Sequence, residues 1–550
     1  MEYEPVRHDT PKVPPRDDHW WRGAVIYQVY PRSFMDTNDD GVGDLKGVAS
    51  RLDHIAALGA DGVWLSPFFK SPMKDFGYDV ADYRAVDPLF GTLDDFDALL
   101  EKAHALGLKL MIDFVPSHTS NRHPWFLESR EDGTNPKADW YVWADAKADG
   151  SPPSNWISVF GGSAWEWEPR RRQYYLHNFL KEQPDLNFHN DEVIAALMEQ
   201  ARFWLERGVD GFRIDAIDYG VHDPELRDNP PRPPGHLRGG GTPGSPWAMQ
   251  YQQYNKARPQ LADRFLKPIY RLSHEYEGRA LLGEISGETA LKRLAEYTSG
   301  GGLDIAYTFD LLLTPLTPQG IREVVEELEG HVGDGWACIA FSNHDVLRAV
   351  TRFGGDAAPP EAGAMLPMLL TSLRGTVCLY QGEELGLGQA EVAYEDLQDP
   401  VGRTFWPQDK GRDGCRTPMP WTGEGPGAGF TGGRPWLPVP DAHRRHAVAL
   451  QEADPGSVLN RLRAFLRWRK DQAPLVLGTI RFEAAPAGVL AFTRTYEGRE
   501  IYAAFNLDDA AAGYPAPFGL RDLGAPGVEG RIQGGTVTLP PHGVVFGESG

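Results

Sequence analysis

Short apolar runs alternate with segments of helical periodicity along most of the chain. Residues 24–30, 62–65 and 108–114 are almost continuously apolar, which is typical of parallel strands that are covered on both faces. Between these runs, residues 45–58 and 93–106 carry apolar side chains three and four positions apart, which predicts helices. Thr92, followed by two aspartates, is the predicted N-cap of the second helix. The pattern is that of repeated strand–helix units.

The alternation continues to about residue 470. Further strands are predicted at 209–214, 280–284, 304–309, 336–342 and 376–380. Further helices are predicted at 192–207, 258–277, 288–298, 319–329, 361–373 and 457–470. Eight strand–helix units favour an α/β fold of the (β/α)8 TIM-barrel type over an open doubly wound sheet.

Interruptions of this pattern predict the domain organisation. Residues 119–187 are rich in aromatic, glycine and proline residues and too long for an ordinary loop, so we expect an inserted domain after strand three. Glycine- and proline-rich loops are predicted at 222–249 and 385–450. The β-prone tail at 475–550 predicts a C-terminal antiparallel β domain. The barrel then comprises residues 19–118 and 188–474, preceded by an N-terminal tail at 1–18.

Composition excludes several classes of function. The 55 basic and 77 acidic residues give a net charge of −22, so nucleic acids and anionic membranes are poor partners. Three widely spaced cysteines form neither a disulfide framework nor a zinc site. No apolar run has the length of a membrane span, and residues 1–18 lack the apolar stretch of a signal peptide, so we expect a cytoplasmic protein. No P-loop or dinucleotide-binding turn is present, and no organic cofactor is expected.

Polar residues follow several predicted strands, at the barrel end where active sites lie. A single acid there is usually a helix cap or an ion-pair partner, but acids at the ends of three strands favour a catalytic group. Arg213 lies two residues before Asp215 on the same face of strand four, so it should pair with that carboxylate and keep it ionised. The polar residues at the strand ends are Asp113 and His118, Arg213 and Asp215, Glu284, and Asn343, His344 and Asp345.

Six motifs connect these residues to a known family. DFVPSH (113–118), QPDLN (183–187), GFRIDAID (211–218), GE (283–284), FSNHD (341–345) and RTPMPW (416–421) occur in this order. Together they resemble the α-amylase superfamily of retaining glycoside hydrolases, and QPDLN and RTPMPW are similar to its α-glucosidase and oligo-1,6-glucosidase branch. The resemblance covers the chain from about residue 20 onward, and it implies that 119–187 is that family's B domain.

The resemblance also implies roles for individual residues. Asp215 matches the nucleophile, Glu284 the general acid and then base, and Asp345 the third acid, which binds sugar hydroxyls. Retention of configuration requires the first two carboxyls to be about 5–5.5 Å apart. The residues expected to position substrate are Asp75, Tyr78, His118, Phe160, Phe179, Arg213, His344 and Arg416. Among them, Tyr78, Asp75 and Arg416 would close the pocket around a terminal glucose, so cleavage from the chain end is expected.

The expected reaction is hydrolysis of terminal α-linked glucose by double displacement, with transglucosylation and a small α-glucoside as substrate. Relatives that prefer α-1,6 linkages usually carry Val after the nucleophile, so Ala216 predicts an α-1,4 preference. The alternatives are an oligo-1,6-glucosidase, or a glucosyltransferase or isomerase of the trehalose synthase or sucrose isomerase type. A non-enzymatic relative is disfavoured because all three acids are present. The chain is expected to be a monomer or homodimer.

One loop is a candidate metal site. Asp36, Asn38, Asp40, the Val42 carbonyl and Asp44 alternate in the first strand–helix loop, as hard oxygen ligands do at the start of an EF-hand. Gly47 occupies the position of the bidentate glutamate, so the loop is not an EF-hand. Similar loops in the family hold one structural calcium or magnesium ion, which we expect here. The family's other calcium, between barrel and B domain, is not expected, because Ser117 replaces the usual asparagine.

Overall fold

Eight parallel strands form a closed barrel. The computed structural model describes residues 19–232, 253–255, 260–287, 289–355, 359–517 and 519–549. The strands are Val25–Val29, Gly62–Leu65, Lys109–Phe114, Gly211–Ile214, Ala280–Ile285, Ile305–Thr308, Cys338–Ile339 and Thr376–Tyr380. The first strand pairs with the second and the eighth, and a parallel bridge between Ala306 and Ala337 joins strands six and seven. The predicted TIM barrel is confirmed.

Helices on the outside of the barrel follow the predicted units. They are Leu45–Leu58, Leu93–Ala105, Asp191–Arg207, Lys267–Ser273, Ala290–Ser299, Pro318–Val332, Pro360–Ser372 and Val458–Lys470. Thr92 caps the second helix as predicted, in a reciprocal capping box with Asp95. The start of the helix predicted at 258–277 lies outside the described residues. The described part contains a π-helical turn, Ala262–Leu266, followed by helix Lys267–Ser273.

The strands are almost continuously apolar because both of their faces are buried. Ile26 belongs to a cluster inside the barrel together with Trp64 and Met111, whereas Val25 and Tyr27 belong to the larger cluster with the surrounding helices. The interior is therefore a packed core rather than a channel, as in other barrels of this type.

Two small antiparallel sheets lie in loops above the barrel. After strand three, the chain forms helix Pro124–Ser129 and a three-stranded sheet of Trp143–Ala144, Gln173–Leu176 and Trp165–Glu168. After strand two, Phe69–Lys70 pairs with Asp82–Val86, and residues 75–78 lie in the loop between these strands. The glycine- and proline-rich loop predicted at 385–450 also contains short helices, at Pro400–Phe405, Asp441–Arg444 and Val448–Ala453.

The C-terminal part is antiparallel β structure, as predicted. After helix Ala473–Leu477, a five-stranded sheet contains Thr479–Phe482, Val489–Tyr496, Arg499–Asn506, Val544–Ser549 and Leu520–Asp522, and a three-stranded sheet contains Ala512–Pro515, Thr536–Leu539 and Arg531–Gln533.

Two further short helices are Asp310–Leu313 and Ala349–Gly354. The domain boundaries stay predictions, and the 1–18 tail and most of the 222–249 loop lie outside the described residues. Among the described helices, none combines the length and apolarity needed to cross a bilayer.

Candidate active site

The three predicted catalytic acids lie at the same end of the barrel. Asp215 directly follows strand four, Glu284 lies near the end of strand five, and Asp345 lies beyond strand seven. Asp215 and Glu284 are each 7% exposed. The Asp345 side chain is more open, at 23%. The closure of the barrel therefore brings carboxyls from distant parts of the sequence into one pocket.

The Arg213 guanidinium is the centre of the catalytic cluster. Its Nη1 donates to Asp113 Oδ1 at 2.9 Å and to Asp215 Oδ1 at 2.5 Å. Its Nη2 donates to the Tyr307 hydroxyl at 2.7 Å and lies 2.9 Å from Glu284 Oε1. The predicted pair of Arg213 with Asp215 is present, but this single positive charge also serves two further carboxyls.

One cation cannot neutralise three buried carboxylates, so these carboxyls are protonated more easily than carboxyls in water. Burial raises the pKa of Asp215 and of Glu284 to about 7, against the opposing pull of Arg213. Burial also raises the pKa of Asp113 to about 6. The short bond from Arg213 favours the negative charge on Asp215, whereas Glu284 lies among the charges of Asp215 and Asp345, which raise its pKa further. The cluster can thus hold one ionised and one protonated carboxyl near neutral pH.

Glu284 is oriented by two neutral donors. The Tyr307 hydroxyl donates to Oε1 at 2.9 Å, and the Ala216 amide donates to Oε2 at 3.0 Å. Ala216 has a positive φ of 41°, which is uncommon for a residue with a side chain. This backbone turn points the amide directly after Asp215 at the Glu284 carboxyl, and so links the two predicted catalytic groups.

A neutral histidine joins this cluster to Asp345. His344 Nε2 lies 2.5 Å from the Tyr78 hydroxyl, which donates to Asp113 Oδ2 at 3.1 Å. The Gln28 amide donates to His344 Nδ1 at 2.8 Å. Burial lowers the pKa of His344 to about 3, so the ring is neutral at physiological pH. The Tyr78 ring stacks on the His344 ring with an angle of 5° between the planes, which fixes Tyr78 in the position of a platform.

Asp345 is surrounded by cations. Its Oδ1 lies 2.8 Å from Arg416 Nη2 and 3.2 Å from Arg412 Nη1. Burial opposes ionisation, but the positive charges of Arg412 and Arg416 hold the pKa of Asp345 well below its usual range, and His344 adds to this lowering only where its ring is protonated. Arg412 also contacts Asp75 at 2.9 Å and the fully buried Asp399 at 2.8 Å. Asp345 is therefore ionised near neutral pH.

A tight loop places Asp75 and Tyr78 in the pocket. Asp79 holds this loop by accepting bonds from the Lys74 and Asp75 amides and the Ser71 hydroxyl. Gln183, from the QPDLN motif, donates to Asp75 Oδ2 at 3.2 Å.

His118 lies beside this loop. Its Nε2 is 3.0 Å from the Tyr78 carbonyl and 3.2 Å from Gln183 Nε2. Burial lowers the pKa of His118 to about 4, so this histidine is also neutral.

Two phenylalanines from the inserted segment complete the predicted set. The Arg412 guanidinium lies 5.3 Å from the centre of the Phe160 ring. The Phe179 ring lies 5.0 Å from His118 and 6.3 Å from Phe160. All predicted catalytic and substrate-positioning residues are thus connected through one network of contacts.

The sequence indicated no role for several members of this network. Tyr307 lies in strand six, in phase with the other strand-end residues, so strand position could have identified it. Arg412 lies in the 385–450 loop, where no periodicity indicates which side chains point inward, and only its spacing of four from Arg416 offers a signal. Asp113 is a strand-end residue, but its position alone indicates no role. The other unassigned members are Gln28, Gln183 and Asp399.

The loop at 36–44 is held together by its own hydrogen bonds. The Asp36 carboxylate accepts bonds from the Asn38, Asp39 and Gly41 amides. The Asp44 carboxylate accepts from Thr37 and caps the following helix through the Gly47 amide. The all-oxygen donor set suits calcium or magnesium, but the described residues contain no group of three or more His, Cys, Asp or Glu side chains arranged around a metal position. The loop is not a ready-made ligand cage in this structure, and its metal stays a prediction.

The chain is similar to known proteins over most of its length. The family model described as alpha amylase, catalytic domain, matches residues 28–478. A probable alpha-glucosidase of Rhizobium meliloti (strain 1021) is 52% identical over 536 residues, covering 96% of this chain and 97% of that protein. An oligo-1,6-glucosidase of Heyndrickxia coagulans is 34% identical over 541 residues, covering 90% and 94%.

Solved structures agree with these sequence matches. The alpha-glucosyl transfer enzyme XgtA superposes with a TM-score of 0.94 at 56% identity, covering 96% of this chain and 99% of that chain. The trehalulose synthase MutB from Pseudomonas mesoacidophila MX-45 superposes with a TM-score of 0.87 at 32% identity, with the same two coverages.

Proposed function

The chain belongs to the α-amylase family of glycoside hydrolases and is an enzyme of the α-glucosidase and oligo-1,6-glucosidase type, and from this membership we propose that it removes terminal α-1,4-linked glucose from disaccharides and short oligosaccharides. The reaction retains the anomeric configuration and proceeds by double displacement. The observation that carries the proposal is the Arg213 guanidinium shared between Asp215 and Glu284, at 2.5 and 2.9 Å. It gives one pocket an ionised carboxylate beside a protonated one.

In the first step, an Asp215 carboxylate oxygen attacks the anomeric carbon while protonated Glu284 gives its proton to the departing glycosidic oxygen. The glucose is then bound covalently to Asp215, and the rest of the substrate leaves. In the second step, ionised Glu284 takes a proton from water, and the water oxygen displaces Asp215 from the same carbon. Arg213 keeps Asp215 ionised in the free enzyme and stabilises it as the leaving carboxylate.

The ionised side of the pocket binds the glucose. Asp345 and Asp75 are carboxylates held in place by Arg412 and Arg416, and such fixed anions accept hydrogen bonds from sugar hydroxyls. Tyr78, stacked on His344, offers its ring to the apolar face of the glucose. These residues close the pocket beyond the terminal sugar, so the enzyme acts at the chain end.

We propose an α-1,4 preference together with transglucosylation. Ala216 adds only a methyl group beside the two catalytic carboxyls, which leaves room for an α-1,4-linked leaving group. The covalent intermediate can be attacked by a sugar hydroxyl instead of water, so transfer accompanies hydrolysis when acceptors are concentrated. A glucosyltransferase or sucrose isomerase activity is the second candidate, because the matched structures are named as an alpha-glucosyl transfer enzyme and a trehalulose synthase.

Proton NMR of maltose mixed with fresh enzyme tests the proposal. We expect α-glucose from the cleaved unit within the first minutes, before mutarotation produces the β anomer. Initial β-glucose in excess of the β fraction of the maltose reducing ends would contradict retention. A new disaccharide at constant total sugar would favour the isomerase or transferase. Faster release from isomaltose than from maltose would contradict the linkage preference.

We also propose that the 36–44 loop binds one calcium or magnesium ion with a structural role. Asp36 and Asp44 are buried, at 2% and 5% exposure, and the ion pairs of the described residues include neither of them. Metal analysis of the purified protein should find one ion per chain, and chelation should lower Tm by a few degrees. Asp40→Ala should reduce both effects, whereas Asp53→Ala, at an exposed acid elsewhere, should not. Unchanged metal content and Tm after chelation would exclude the site.

A further inference from the structure

A second cavity lies at the barrel end opposite the catalytic pocket. It has a volume of about 300 Å³ and is formed around the starts of strands five to seven. Asp304 immediately precedes strand six, and Trp336 lies two residues before strand seven, whereas the catalytic acids follow or end their strands. The cavity is therefore separate from the active site, and its size lies at the lower end of the range for small-molecule sites.

The floor of this cavity is aromatic and carries a cation. Trp21 and Trp336 are each 4% exposed. The Arg22 guanidinium lies 5.2 Å from one indole centre and 5.3 Å from the other. The His19 ring stacks on Trp21 at 5.6 Å. Flat apolar surfaces and a planar charged group thus line the same space.

The facing wall combines a second ring stack with a fixed carboxylate. Tyr270 and His274 stack with their ring centres 3.8 Å apart. His274 Nε2 lies 3.3 Å from Asp304 Oδ1, and Asp304 Oδ2 accepts the Leu281 amide at 2.8 Å. Asp304 is 8% exposed, so this carboxylate is a buried and oriented acceptor in the cavity wall.

The charges select the class of ligand. Three carboxylates, from Glu277, Asp304 and Asp334, and two guanidiniums, from Arg22 and Arg279, line the cavity, so the opposite charges nearly balance and favour a neutral ligand over an ion. Arg22 already lies against both indole rings, in the place where a bound cation would make its cation–π contacts. A neutral ring with many hydroxyls matches these features, since its hydroxyls can bond to the charged side chains and its apolar carbons can lie beside the aromatic lining.

We propose that this cavity is a non-catalytic binding site for a neutral monosaccharide such as glucose. Glucose bound there lies beside the edges of the Trp21 and Trp336 rings, whose faces Arg22 already contacts, and donates hydroxyl protons to Asp304 and the rim acids Glu277 and Asp334. The site is independent of the catalytic carboxyls, so the proposal stands or falls separately from the proposed activity.

Fluorine NMR of protein labelled with 5-fluorotryptophan tests both sites at once. Trp21 and Trp336 report on the cavity, and Trp64, which lies 4.8 Å below the Arg213 guanidinium, reports on the catalytic pocket. Trp→Phe variants assign the three signals. We expect glucose to shift the Trp21 and Trp336 signals with saturation at millimolar concentration. A Glu277→Ala/Asp334→Ala variant, which changes two exposed rim acids, should raise the Kd from these signals at least tenfold and leave the Trp64 titration unchanged.

The matched control replaces two exposed acids outside the cavity, Glu101→Ala/Glu323→Ala, and should keep the wild-type Kd. Glucose shifts confined to Trp64 would overturn the second site while leaving the proposed activity intact. Cavity signals that respond equally in the rim variant would also overturn it, because the response would then originate elsewhere. Inorganic phosphate or tetramethylammonium shifting Trp21 and Trp336 in place of glucose would overturn the assigned ligand class.

Discussion

Two groups of carboxyls share the catalytic pocket, and they differ in how many cations accompany them. In the catalytic half, Asp113, Asp215 and Glu284 all contact the single guanidinium of Arg213. In the binding half, Asp75, Asp345 and Asp399 contact Arg412, and Asp345 also contacts Arg416. The ratio is three carboxyls to one cation in the first group and three to two in the second.

Burial alone does not explain the different protonation of the two halves. Burial opposes the ionisation of both Asp215 and Asp345, yet the pKa of Asp215 is raised to about 7 and that of Asp345 is held below its usual range. The additional cation, together with the greater exposure of the Asp345 side chain, favours its ionised form. The half that must exchange a proton is short of positive charge, and the half that must stay anionic to bind hydroxyls is well supplied with it.

The largest effect should come from removing the nucleophile in the catalytic half. Asp215→Asn leaves the contact with Arg213 possible but cannot form the covalent intermediate, so kcat/KM for maltose should fall by about 10⁴-fold or more. Asp53→Asn, at an exposed acid, should retain full activity. Retention of more than a few per cent of activity by Asp215→Asn, after contamination is excluded by active-site titration, would remove Asp215 from this role.

The binding half can be tested by removing its shared cation. Arg412→Ala should lower kcat/KM by about 100-fold, mainly through KM, because Asp75 and Asp345 lose a positioning partner worth about 2–3 kcal/mol. The pKa of Asp345 should rise, which a pH titration of carboxyl carbon signals by 13C NMR would detect. Arg412→Lys should restore the pKa of Asp345 and only part of the KM, since it keeps the positive charge without the planar guanidinium.

Arg412→Ala also leaves Asp399 buried without its cation, which destabilises the protein. The double variant Arg412→Ala/Asp399→Asn removes that cost and serves as the control for folding. If the double variant recovers wild-type KM, Arg412 stabilises the loop and does not position Asp75 and Asp345.

The protonation of Glu284 can be shifted without touching a carboxyl. The Tyr307 hydroxyl donates to Glu284 Oε1 and so stabilises the ionised form. Tyr307→Phe should raise the pKa of Glu284, and the basic limb of the kcat/KM profile, which falls as Glu284 loses its proton near pH 7, should move up by as much as about one unit. Tyr496→Phe, in the C-terminal domain, is the control. A basic limb that stays in place or moves down would assign this limb to another group.

The same contrast explains what could be predicted from the sequence. The catalytic half is built at the ends of regular strands, so apolar periodicity is sufficient to place Arg213, Asp215 and Glu284 at one end of the barrel. The barrel itself was predictable for the same reason, since each strand is buried on both faces and each helix has one apolar face. Strand bounds agreed to within two residues at most positions.

The binding half is built largely on irregular loops, and there local pattern carries little information. Arg412 and Asp399 are brought together by a long segment whose path depends on tertiary contacts. The network of three carboxyls on Arg213 was also not predictable, because the sequence indicated only the pair with Asp215. Motif resemblance supplied Asp75 and Arg416, which periodicity could not.

The smallest predicted effect concerns linkage preference, at the position that joins the two catalytic groups. Ala216→Val adds two methyl groups beside Asp215 and Glu284, and the ratio of isomaltose to maltose hydrolysis should rise several-fold as the room for the α-1,4 leaving group changes. A β-branched residue at φ 41° is strained by about 1–3 kcal/mol, so Tm should fall by a few degrees. Ala216→Gly relieves strain and adds no bulk, so it should keep or raise Tm without raising the ratio. If Tm falls in Ala216→Val but the ratio is unchanged, then residue 216 only orients the backbone amide that donates to Glu284. The preference for one glycosidic linkage would then be determined by other residues of the pocket.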